Sequence, residues 1–98
     1  MSRFVLTLRA EQDLNEIWDY IAQDSIAQAD RVLAKHDKTL HDLARHPAMG
    51  HIREEWADRR HKFWFVYSYV IMYRSEAISL QILRVVSGYR DLVEELKG

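Results

Sequence analysis

An amphipathic helical pattern in the first half of the chain and aromatic, β-branched runs in the second predict an α+β domain. Pro47 and Gly50 stand at the change of character. The expected order is an N-terminal strand, an antiparallel helical hairpin packed on a mostly antiparallel sheet, and a short C-terminal helix. At 98 residues the chain has the length of one domain, spanning 1–98.

Arg3 to Leu6 form a short first strand, and Thr7 suits a helix N-cap because its hydroxyl accepts from a free first-turn N–H. From Arg9 to about Gln23, residues Ala10, Leu14, Ile17, Trp18 and Ile21 recur at three- and four-residue spacing, which makes one apolar helix face. Trp18 is expected to pack between helix and sheet. Ser25-Ile26-Ala27-Gln28 reads as a capping box in which Ser25 and Gln28 satisfy each other's backbone N–H groups. The second helix runs to about His46, with Val32, His36, Leu40 and Leu43 inward, and Pro47 stops it. So short a connection makes the two helices an antiparallel hairpin.

Residues 62–67 and 69–74 read as paired strands with a tight turn near Ser68, and 80–86 as a third. Asp91 caps a last short helix, with Glu94 at its third position.

Composition narrows the function. The net charge is −1, and Arg53, Arg59, Arg60 and Lys62 are interleaved with Glu54, Glu55 and Asp58. That is a solvated loop rather than a phosphate-binding footprint, so no direct nucleic-acid contact is expected. No cysteine occurs, which suits a reducing compartment, and the first residues turn polar too early for a secretory signal. No stretch approaches the ~20 apolar residues of a membrane span. His36, His41, His46 and His51 recur every five residues, a rotation of ~140° per step, so they share no helix face and make no metal site. There is no glycine-rich phosphate loop, and no Ser/His/Asp set can be argued from spacing; neither cofactor nor metal is expected.

Residues 7–20, Thr7-Leu8-Arg9-Ala10-Glu11-Gln12-Asp13-Leu14-Asn15-Glu16-Ile17-Trp18-Asp19-Tyr20, resemble the first-helix signature of ParE toxins of the RelE/ParE superfamily. The resemblance continues through Pro47-Ala48-Met49-Gly50, Val70-Ile71-Met72-Tyr73-Arg74 and Ile82 to Leu92. Leu8 stands where many relatives have proline and Ser87 where many have histidine, and the strand turns lack the usual glycine. The resemblance implies a bacterial, cytoplasmic toxin of a type II toxin–antitoxin system. A ParE-like member inhibits DNA gyrase by protein contact, and a cognate ParD-like antitoxin neutralises it in a hetero-oligomer.

The RelE branch of the same superfamily instead cuts mRNA in the ribosome. It uses basic side chains on the sheet and a C-terminal tyrosine to activate the 2′-hydroxyl and offset phosphate charge. Lys62 and Arg90 match that set, whereas Trp64, Val70 and Leu96 stand where a lysine, an arginine and the tyrosine would be. Two of about five groups do not run that chemistry efficiently, so no catalytic residue is expected. A ribosome-dependent endoribonuclease, and a toxin fold without toxicity, are the alternatives.

Trp64 and Phe65 point to opposite faces of their strand, so both sheet faces have apolar character. One takes the helices, and the other is expected to wait for a partner. Trp64, Tyr67, Tyr69 and Tyr73 are the candidate antitoxin contacts, being aromatic anchors of the kind that dominate interfaces; packing roles account for them equally well. Arg84, Tyr89 and Arg90 are the candidate target-facing residues. A strand arginine among apolar neighbours also calls for a carboxylate, which Asp91 or Glu94 would supply.

Overall fold

The computed structural model describes residues 3–87. The chain runs β1 (Phe4–Leu6), α1 (Leu8–Ala22), α2 (Ile26–Arg45), a 3₁₀ turn (Pro47–Met49), β2 (Lys62–Val66), β3 (Tyr69–Ser75) and β4 (Leu80–Ser87). The expected helix from Asp91 lies outside the described residues. The α+β class is as the sequence predicts, with one sheet in the order β1-β4-β3-β2. The pairs β2–β3 and β3–β4 are antiparallel, while β1 lies parallel to β4.

Both helix starts follow from their caps. Thr7 Oγ1 accepts from the Ala10 N–H at 3.1 Å, and Ser25 Oγ accepts from the Gln28 N–H at 3.1 Å. The reciprocal half of the expected capping box is replaced: the Ser25 N–H donates to the Ile21 carbonyl at 3.0 Å. Helix α1 ends one turn before α2 begins, so its last carbonyls are the nearer acceptors for that N–H.

The helices cover one sheet face. Leu14, Leu40 and Leu43 meet Val66, Ile71, Tyr73 and Ile82 there, all at 8% exposure or less. Trp18 departs from its expected place between helix and sheet. Its indole N–H donates to Asp30 Oδ1 at 2.9 Å, tying α1 to α2. An indole has one polar atom to satisfy, and a carboxylate on the partner helix satisfies it.

The opposite sheet face does not wait bare for a partner. Residues of the 51–61 loop fold over it, with Trp56 packing edge-on against Phe63 at 5.0 Å and Phe65 at 6.2 Å. The Arg53 guanidinium stands 5.0 Å from the Trp56 ring centroid, and Phe63 is fully buried. Charges dominate this loop in the sequence, and its carboxylates and cations do pair, Arg60 with Asp58 at 3.0 Å and Arg59 with Glu54. Such exposed pairs contribute little to stability. Fully burying Phe63 is worth ~1.5–3 kcal/mol, so the aromatic contact, not the ion pairs, holds the loop down.

Candidate functional site

Strand β1 leaves the sheet after Leu6, while β4 runs on to Ser87. The outer backbone edge of β4 beyond Ile82 therefore needs other partners. Side chains at the start of α1 supply them. Thr7 Oγ1 donates to the Leu83 carbonyl at 3.0 Å, and Asp13 Oδ2 accepts from the Val85 N–H at 2.9 Å.

A β-bulge lies at the same place. Met72 faces Arg84 and Tyr73 faces Ile82, leaving Leu83 as the extra residue. Arg84 on the bulged strand reaches Asp13, with Nε at 2.8 Å from Oδ2 and Nη2 at 3.2 Å from Oδ1. The two side chains are 11% and 4% exposed. Arg9, one helical turn before Asp13, adds a second guanidinium 3.7 Å from Oδ1. A carboxylate that accepts from a strand N–H and a forked arginine satisfies nearly all its lone pairs, which is what burial of a charge requires.

Above this cluster lies an open groove of about 470 Å³ between α1 and the ends of β3 and β4. Arg9, Glu16, Ile17 and Tyr20 line it from the helix, Ser68 and Tyr69 from the hairpin, and Arg84 to Ser87 from β4. Burial raises the Tyr69 pKa above its ordinary value, and the neighbouring Tyr20 phenol adds to the effect. At the adjoining tip, Tyr67 begins the two-residue turn between paired Val66 and Tyr69, with φ at 54° and 63% exposure. That left-handed conformation is normally glycine's.

The residues expected to bind partners are thus dispersed. Tyr69 and Arg84 meet in the groove, and Tyr67 stands exposed beside it. Trp64 packs into the helix-side core and stacks on the His51 ring at 5.7 Å. Tyr73 is withdrawn from the candidate antitoxin contacts, because it is fully buried. Its hydroxyl donates to the Pro47 carbonyl at 2.7 Å and accepts from the Gly50 N–H at 2.8 Å. In β3 it alternates onto the helix-side face, and its reach fits the turn that ends α2. Tyr89 and Arg90 lie outside the described residues, as do the Asp91 and Glu94 expected to pair with Arg84.

Two groove residues were missed in the sequence. Asp13 precedes Arg84 by 71 positions, and no local pattern joins them. Tyr20 did leave a signal: it is aromatic, yet falls off the Leu14–Ile17–Ile21 face of α1 and is 70% exposed. Of the histidines, His36 packs in the interior and His41, His46 and His51 are exposed. Among the described residues, no cluster of three or more His, Cys, Asp or Glu could hold a metal ion. No described helix is long and apolar enough to cross a membrane. Chemically, the groove offers phenols, arginines and a Glu16 carboxylate around an apolar patch, an array suited to recognition.

Comparison with known proteins agrees with this architecture. The family described as the ParE toxin of type II toxin-antitoxin system, parDE, matches residues 4–92. No curated protein matches. Among solved structures, a chain of the chromosomal ParDE TA system from P. aeruginosa superposes with a TM-score of 0.75 at 18% identity, covering 91% of this chain and 98% of that one. At that identity the likeness speaks for the fold. The family match covers nearly the whole chain, β1 through the last strand and beyond, and on that ground the chain belongs to the ParE toxin family of type II toxin–antitoxin systems.

Proposed function

We propose that this ParE-type toxin inhibits DNA gyrase by protein–protein contact, without catalysis, in the bacterial cytoplasm, and that a cognate ParD-like antitoxin neutralises it. One observation carries the reading. Two of the positions that ribosome-dependent cleavage would fill with cations hold Trp64 and Val70, and both are packing residues. Trp64 lies against the helix-side core and Val70 is fully buried on the other face. A cation at either position would need desolvation and a new partner, whereas the apolar residues need neither. What the chain presents instead is the Tyr20–Tyr69–Arg84 groove, with residue types that dominate protein interfaces.

An ATP-dependent supercoiling assay with bacterial gyrase tests this. Folded toxin is expected to inhibit, and the antitoxin to relieve the inhibition. Unimpaired supercoiling in the presence of folded toxin would remove gyrase as the target.

A further inference from the structure

Among the described residues, Tyr67 is the one non-glycine residue with a positive φ. Glycine adopts that conformation freely and a tyrosine does not. The ring is 63% exposed, so packing does little to offset the strain. Strain that folding does not offset is the mark of a position kept for a contact outside the chain. The next two residues, Ser68 and Tyr69, line the Arg84 groove, and Tyr20 stands across it, 70% exposed.

The groove's charges form a pattern along α1. Arg9, Asp13, Glu16 and Tyr20 are spaced by three and four residues, so they share one helix face, and all four line the groove. The Asp13 oxygens are committed to Arg84 and to the Val85 N–H. Arg9 stands 3.7 Å from Oδ1, beyond hydrogen-bond distance, with its side chain 52% exposed. Its donors are therefore open to a carboxylate from outside. Glu16 is exposed and has no ion-pair partner among the described residues. Seven residues of helix set the Arg9 cation and the Glu16 anion ~10 Å apart. A phosphate backbone meets Glu16 unfavourably, and a polycation meets Arg9 so. A protein segment carrying both signs meets neither obstacle.

We infer that this groove, with Tyr67 at its rim, is the surface by which the toxin grips its target. The occupant is a segment of gyrase carrying a carboxylate and a cation ~10 Å apart, matched to the helix spacing. The carboxylate meets Arg9, the cation meets Glu16, and apolar side chains between them pack on Ile17, Tyr20 and Tyr69. The inference rests on the gyrase reading above and adds the surface and the chemistry of the segment. It assigns Tyr67 and Tyr69 to the target rather than to the antitoxin.

The test measures the toxin concentration that half-inhibits gyrase supercoiling, for wild type, Tyr67→Gly, Arg9→Gln and Glu16→Gln. Circular dichroism checks that each variant is folded, and a photoreactive benzoylphenylalanine at position 67 captures whatever lies against it when gyrase is present. Tyr67→Gly and Arg9→Gln are each expected to lose at least about tenfold in potency, Glu16→Gln to lose less, and the crosslink to join the toxin to a gyrase subunit. Loss for Tyr67→Gly alone, with both charge variants as potent as wild type, would overturn the charge matching. Unchanged potency in all three, or crosslinks formed only within the toxin chain, would overturn the surface while leaving gyrase inhibition intact. Failure of the wild type to inhibit would sink the gyrase reading, and the inference with it.

Discussion

The Asp13 carboxylate bridges the Arg84 guanidinium and the Val85 N–H, and so fastens the first helix to the last strand where the sheet has lost β1. The pair is nearly dry, and removing one member strands the other. Asp13→Ala should cost about 3–5 kcal/mol in urea or guanidinium unfolding. Replacing both residues by apolar ones of similar volume should cost much less, because no charge is left unpaired. Equal losses in the single and double variants would show that the ion pair is not the linchpin.

Tyr73 and Gly50 make a second long-range tie. Tyr73→Phe leaves the Gly50 N–H and the Pro47 carbonyl without that hydroxyl, at about 1–3 kcal/mol. A Cβ at position 50 would lie 2.1 Å from the Tyr73 hydroxyl oxygen, far inside contact distance. Gly50→Ala should therefore destabilise the wild type markedly. Thermal unfolding of both variants measures these effects.

Tyr67 holds a left-handed backbone that costs a non-glycine residue ~1–2 kcal/mol. Glycine there relieves the strain and gives back ~0.5–1 kcal/mol in chain entropy. Tyr67→Gly is thus expected to raise stability slightly. If the exposed ring is a partner contact, the same variant should lose affinity for gyrase or antitoxin while gaining in denaturation midpoint. A gain in stability with affinity unchanged would assign Tyr67 no binding role.

Burial lowers the His36 pKa from its ordinary value of 6.5, against a smaller opposing effect of its bond to Val32. The unfolded chain therefore binds the proton first. Stability from this residue is complete above pH 6.5 and declines as pH falls through 6.5 toward the lower folded value. A His36→Leu chain should show a flatter stability profile over that window, read from denaturation midpoints at successive pH values. A profile identical to that of wild type would show that other groups set the acid limit.

How much of this was legible beforehand differs by feature. Both helix caps, the hairpin turn at 67–68 and all four strands follow from residues adjacent in the chain, so local pattern was enough. The Trp56 cover was illegible, because charges dominate its loop and only the folded-back path brings it onto Phe63. The fate of the aromatics was half legible. Alternation assigns each to a face, yet it does not say that Tyr73 is sealed under the end of α2 while Tyr69 opens on a groove.

The sequence by itself determined the α+β class and the kinship to ParE toxins, since periodicity, capping and short motifs act over a few residues at a time. Only the tertiary structure decided which side chains act together. Arg84 meets Asp13, 71 positions earlier in the chain, and His36 of α2 comes to line one groove with Phe4 and Leu6 of β1. These are contacts across tens of residues, set by how the helices lie over the sheet, and no short-range pattern encodes them.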